Sequence, residues 1–261
     1  MAFSDGPFDF TGIIGNLKFY KRNGKTVVSR LPTVNKSRFQ TASEYARTRE
    51  NSNEFGGSSK LCSKFYQSIK KYDYLFKYGL WNALNKEFRR VLGENEVDKR
   101  GERGVDLLEN GQSLIGYSLS TESVESFLRV KVDTQISEDR KLITCNIPEF
   151  SSKYLSVYQR VVSHYRIFIT VTVIKKLEAI AVKKKYVFDE ADYKPKVYFV
   201  ATEVLEKKET TAPNELQIEL PVVPIKTDAL VVCLGLEFYD TTSDIISLIK
   251  KNGGLQIVKI G

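Results

Sequence analysis

The chain has 261 residues, 42% of them apolar, which is long enough for one large domain or two modest ones that each bury a core without disulfide or metal. Its formal charge of +8 is unevenly placed: residues 1–92 hold 17 Lys/Arg against 7 Asp/Glu, whereas the rest holds 23 against 25. A positive field at one end suits nucleic acid, an anionic membrane surface or an acidic protein partner, while three cysteines without Cys-x-x-Cys spacing (Cys62, Cys145, Cys233) argue against a zinc ribbon, an iron–sulfur site or a redox pair.

Residues 1–10 carry no positive n-region, apolar run or small-residue cleavage site, so no Sec signal is expected. The strongest apolar run, Ala229 to Leu236, is of strand length and far short of the ~20 residues of a transmembrane helix. Between Gly12 and Arg30 the pattern is a β-hairpin, with Leu17 and Phe19 on one arm, Val27 and Val28 on the other, and Asn23-Gly24 suited to a type I′ turn. Its edges are basic at Lys18, Lys21, Arg22, Lys25 and Arg30. Such cations keep a hairpin edge unpaired and soluble, or they attach it to an acidic partner.

From Asn35 to Glu54 the composition predicts a helix capped by Asn35 or Ser37 and closed by Gly56-Gly57. A second helix is expected after Ser58 or Ser59, because Leu61, Phe65, Ile69, Tyr72 and Phe76 recur at steps of four and three. Leu80, Leu84, Phe88 and Val91 continue that spacing in a third helix, for which Gly93 fits a C′ stop. The charged, Gly-rich segment 94–116 reads as a linker or exposed connection. Beyond it lie short β-branched and aromatic runs: Phe127–Val132, Leu142–Ile147, Tyr165–Ile174, Ala179–Phe188, Lys196–Val204, Leu216–Val222, Ala229–Tyr239 and Leu255–Ile260. Turn residues separate many of them, including Glu138-Asp139, residues 189–192 and Ala212-Pro213-Asn214, and Thr241–Lys251 reads as a short helix ended by Gly253-Gly254. The expected fold is therefore α+β: a basic hairpin and helical unit over 1–116, then an antiparallel β-sandwich over 117–261.

Catalysis has little to stand on. His164 is the single histidine, and no Gly-x-Ser-x-Gly elbow, Walker loop or His-Glu-x-x-His occurs. Gly101-Glu-Arg-Gly104 is the nearest approach to a phosphate loop but lacks a strand before it. No catalytic, metal or cofactor-binding residue is assigned, and no cofactor or small-molecule substrate is expected. Nucleic-acid binding draws on Lys64-Phe65-Tyr66, Lys70-Lys71-Tyr72-Asp73-Tyr74 and Phe88-Arg89-Arg90, although Phe65, Tyr72 and Phe76 also belong to the inward stripe. The remaining class is a non-enzymatic interaction module.

The hairpin letters, Gly15-Asn16-Leu17-x-Phe19-Tyr20-Lys21-x-Asn23-Gly24-Lys25-x-Val27-Val28-x-Arg30 followed by Pro32, resemble the N-terminal signature of a family of Bacteroidetes proteins. Within that family the chain resembles the plug subunits of type IX secretion translocons. The resemblance implies a protein that seats in the periplasmic mouth of an outer-membrane barrel and occludes it when no substrate is engaged, without inserting into the membrane itself. It makes Lys18, Lys21, Arg22, Lys25 and Arg30 candidate contacts to the barrel. The missing export signal leaves a second expectation, a nucleic-acid-binding or prophage structural protein of the cytoplasm.

Overall fold

In the N-terminal part, Asn23 and Gly24 both adopt positive φ (53° and 77°), the backbone a type I′ turn demands. The computed structural model describes residues 2–4, 11–31, 35–157, 162–180, 185–188, 193–208, 210–242 and 245–261. They form two compact units, Met1–Arg49 and Glu50–Gly261. The division expected at residue 116 thus falls inside the second unit, and the α+β class is observed, with antiparallel sheets.

The first unit contains β1 (Ala2–Ser4), β2 (Gly12–Ile14), β3 (Leu17–Arg22) and β4 (Lys25–Arg30) in the order β1-β4-β3-β2. The expected hairpin is its centre, and β1 and β2 extend it on both sides. Helix α1 (Lys36–Thr41) is capped by Asn35, whose side chain accepts from Ser37 N at 2.9 Å. It stops at Ala42, which is extended, and Arg49 donates to the freed Phe39 and Ala42 carbonyls at 2.7 and 2.8 Å.

Helix α2 (Ala46–Ile69) corrects the next expectations: it passes through Gly56-Gly57 without a break, and no new helix starts at Ser58 or Ser59. Gly57 is a point of close approach rather than a stop, because a Cβ there would lie 2.6 Å from the Tyr186 ring. Leu61, Phe65 and Ile69 are buried as their spacing predicts, and the stripe continues through a 3₁₀ segment, Lys70–Leu75. Helix α3 (Leu80–Gly93) follows left-handed Gly79; Gly93 is its last residue and not a left-handed C′.

Segment 94–116 is packed, not a linker. Gly101, Gly104, Val105, Leu107 and Leu114 are buried, α4 (Leu107–Asn110) is capped by Asp106, and Val105 bridges Leu177. Nor is Phe127–Val132 a strand: Ser123 caps a helical turn, α5 (Val124–Phe127), and the chain beyond is irregular apart from a bridge from Leu128 to Leu155.

The strands of the second unit are β5 (Asp133–Ile136), β6 (Leu142–Ile147), β7 (Phe150–Ser151), β8 (His164–Ile174), β9 (Leu177–Ile180), β10 (Lys185–Phe188), β11 (Lys196–Ala201), β12 (Leu205–Glu206), β13 (Thr210–Thr211), β14 (Asn214–Glu219), β15 (Ala229–Thr242) and β16 (Ile245–Ile260). The principal sheet runs β11-β8-β15-β16, with β12 also on β8, and a second sheet runs β14-β6-β5. In the expected run Ala179–Phe188 the described residues belong to two strands, while residues 181–184 and the turn at 189–192 lie outside the described residues. The described residues of the expected helix Thr241–Lys251 are instead strand, with Tyr239 opposite Leu248 and Thr242 opposite Ile245.

Strands β8 and β15 are buried on both faces, so their sequence reads as a continuous apolar run. Phe168, Val231 and Cys233 face a core shared with α2 and α3. Ile167, Ile169, Val171, Leu230, Val232 and Leu234 face another core, shared with Ile143 and Cys145 of β6 and Leu216 and Ile218 of β14. Gly235 is required opposite Phe168, where a Cβ would lie 2.0 Å from the ring; Phe168 in turn stacks on Tyr72 at 4.8 Å.

Candidate docking surface

In the first unit, strand register determines which cations share a face. Cross-strand partners project to the same side, and neighbours along a strand to opposite sides. The pairs Lys21↔Thr26, Phe19↔Val28 and Leu17↔Arg30 place Lys21 and Arg30 on one face. The pairs Arg22↔Lys25, Tyr20↔Val27 and Lys18↔Ser29 place Lys18, Arg22 and Lys25 on the other. All five side chains are exposed, as the hairpin pattern predicts, but the structure does not bring them into one patch.

The three-cation face has the stronger character. Arg22 and Lys25 sit directly opposite each other beside the turn, a like-charge pairing that destabilises the hairpin. Lys18 lies 6.0 Å from the centroid of the Tyr20 ring and faces Ile13 across the neighbouring strand. Among the described strands β2 ends the sheet; its Ile13 is 61% exposed on this face, whereas Ile14, opposite Leu17, lies on the other. The arrangement therefore offers cations beside an exposed apolar side chain at a sheet edge, which suits an acidic, partly apolar partner.

The other motifs singled out from the sequence find partners within the fold. The Gly101 N–H, one of those a phosphate loop would turn outward, donates to Glu54 Oε1 at 2.9 Å, and Gly104 N–H donates to Asp98 Oδ2 at 3.1 Å. Internal carboxylates thus take both donors. His164 begins β8 with Nδ1 2.8 Å from Ser163 Oγ and 3.4 Å from Thr241 Oγ1; among the described residues no carboxylate bonds its ring. Among the described residues no group of three His, Cys, Asp or Glu is placed to hold a metal. Phe65, Tyr72 and Phe88 are buried, so their rings are unavailable to stack on bases. Lys64 donates to the Tyr193 carbonyl, and Lys71 lies 4.3 Å from the Phe199 ring centroid. Burial lowers the Lys71 pKa, against the opposing pull of Glu237.

A buried polar cluster escapes sequence reasoning. Glu237, fully buried, accepts from Arg166 Nε at 2.8 Å, Arg166 Nη2 at 2.6 Å, the Tyr239 hydroxyl at 2.8 Å and the Tyr74 hydroxyl. Both tyrosines are pushed to higher pKa, first by burial and then by their bonds to Glu237. Its members lie at 74, 166, 237 and 239, so no local pattern links them, although Glu237 interrupting the apolar run of β15 is a visible signal. With both carboxylate oxygens occupied, the cluster serves to hold Lys70–Leu75 against β8 and β15.

The three cysteines are buried free thiols; burial pushes Cys62 up to about 12 and Cys145 up to about 11, and raises Cys233 as well. No described helix is long and apolar enough to cross a membrane. No family model, curated protein or solved structure matches the chain.

Proposed function

We propose that this chain is a non-enzymatic docking protein whose first unit attaches to an acidic surface of a larger assembly. The observation that carries the reading is the face bearing Lys18, Arg22 and Lys25, held by a I′ turn that keeps two like charges opposite each other. The signature resemblance names the assembly: the outer-membrane barrel of a type IX translocon, with this chain as the plug of its periplasmic mouth. In this reading the β14-β6-β5 sheet and the principal sheet are the two layers of an antiparallel β-sandwich that forms the body of the plug. Two extensive cores, one on each face of the principal sheet, support a rigid body of that kind.

The test is co-purification with the barrel after charge reversal. Lys18→Glu/Arg22→Glu/Lys25→Glu is expected to abolish retention and to leave the far-UV circular dichroism spectrum unchanged, whereas Lys21→Glu/Arg30→Glu is expected to retain the barrel. Equal retention of both variants would sink the proposal. Binding of duplex or single-stranded DNA with a steep salt slope, without barrel retention, would replace it with nucleic-acid recognition.

A further inference from the structure

At the end of β8 and β11 in the second unit, a cleft of about 470 Å³ opens against the turn that carries Val222 to Ile225. That volume lies within the ~300–1,000 Å³ of clefts that take small molecules. The cleft leads inward to Val173 and Tyr198, which pack on the core between the principal sheet and the β14-β6-β5 sheet, so its interior is apolar and anchored to rigid strands. One wall is the aliphatic row Val222, Val223 and Ile225, each more than half exposed, with Pro224 between the last two. Such a row at the surface is costly unless something covers it.

The rim is cationic. Lys194 and Lys196 are exposed, line the opening and make no ion pair among the described residues, and Lys175 stands beside them. Among the described residues Asp228 is the only carboxylate of the lining. The Tyr193 hydroxyl is spent within the fold: it donates to the Val173 carbonyl at 2.6 Å and accepts from Lys175 N at 3.2 Å. The side chains thus supply apolar contact within and positive charge at the mouth, with few fixed donors or acceptors to recognise a polar body.

We infer that this cleft binds a single-chain amphipathic anion, an alkyl carboxylate of medium length. Its chain lies along Val222, Val223 and Ile225 toward Val173, and its head group lies between Lys194 and Lys196. The lysines remain hydrated at the rim and meet the head group as point charges, so the site selects for charge and chain rather than for a particular head-group shape. A nucleotide fits the cleft poorly, because among the described residues no guanidinium fork lines it to take several phosphates.

Calorimetric titration of the full chain with decanoate below its micellar concentration tests the site, alongside decanol and decyltrimethylammonium. The expected result is saturable 1:1 binding of decanoate, with decanol weaker by about tenfold and the cationic amphiphile weaker still, since charge-assisted contacts distinguish them. Lys194→Gln/Lys196→Gln is expected to weaken decanoate about tenfold and leave decanol unchanged, while Val223→Asp is expected to weaken both. Both variants lie at the surface, and an unchanged Trp81 melting curve confirms the fold. Absence of saturable decanoate binding, equal affinity for decanoate and decanol, or full decanoate affinity in the double lysine variant would each overturn the inference. Because the cleft belongs to the second unit, none of these results bears on docking through the first.

Discussion

Two adjacent glycines in α2 are expected to respond oppositely to the same substitution. Gly56 is exposed, and a Cβ there meets nothing within 4 Å; Gly57 is buried, and a Cβ there would stand 2.6 Å from Tyr186 Cε1. Alanine within a helix is favoured over glycine by about 1 kcal/mol, so Gly56→Ala should stabilise the second unit by roughly that amount. Gly57→Ala receives the same benefit but must displace the Tyr186 ring by about 1 Å to reach ordinary contact, an overpacking cost of about 1–3 kcal/mol. The two variants should therefore differ by about 1–3 kcal/mol, which for a unit of this size corresponds to roughly 2–4 °C in Tm per kcal/mol. Urea titration followed by the fluorescence of Trp81, which packs on the core beside α2, measures both. In a Tyr186→Ala background, Gly57→Ala should behave as Gly56→Ala does, because the coupling is carried by the ring. Stabilisation by both alanines in the wild-type background would refute the packing of α2 against β10 described above.

Tyr186 supplies a second expectation: its buried hydroxyl finds no partner among the described residues, so Tyr186→Phe should be neutral or stabilise by about 1 kcal/mol in the same urea titration. Arg166→Met leaves the buried Glu237 carboxylate with only its two tyrosine donors and should cost about 3–5 kcal/mol, whereas Glu237→Gln/Arg166→Met should recover part of that loss; equal losses would contradict the buried pair. Cys62 and Cys145 are held protonated up to about 12 and 11, and burial likewise pushes Tyr117 and Tyr186 up to about 12. These raised values contribute stability that is complete below the unfolded thiol pKa of about 8.5 and is lost as pH rises toward 11–12, so urea midpoints should fall steadily between pH 8.5 and 10.5. At pH 8 the thiols should resist Ellman's reagent until the chain unfolds.

The pattern of what the sequence discloses follows the range of the interactions involved. The hairpin is legible because Asn23-Gly24 needs nothing beyond its own backbone to specify a I′ turn, and α3 is legible because Leu80, Leu84, Phe88 and Val91 form one helical stripe. Gly56-Gly57 misleads because a glycine pair means a stop in local terms, whereas here Gly57 answers to a ring that arrives from residue 186. The segment 241–251 misleads for a related reason. Ile245, Leu248 and Ile249 satisfy helical spacing as well as β propensity, and only the partner strand from Tyr239 to Thr242 decides between them. In 94–116 the charges suggest solvent, but Asn95, Asp98 and Asp106 spend themselves on backbone groups of the same segment and so build a fold without an apolar pattern.

The same distinction governs the candidate docking surface. Lys18, Lys21, Arg22, Lys25 and Arg30 look like one basic patch along the sequence, and net charge cannot tell one face of a ribbon from the other. Register can, because a period of two sends Lys21 and Arg22 to opposite sides, while the I′ turn sets Arg22 against Lys25. A partner that recognised only the local field would respond to all five cations, and its affinity would fall in proportion to the charge removed. One that docks on a surface must discriminate between the faces. The triple and double charge reversals differ by only one cation, so a loss confined to Lys18, Arg22 and Lys25 would far exceed what charge number predicts. A graded loss following charge number alone would mean that the sheet acts as a diffuse positive field and that the partner reads no surface at all.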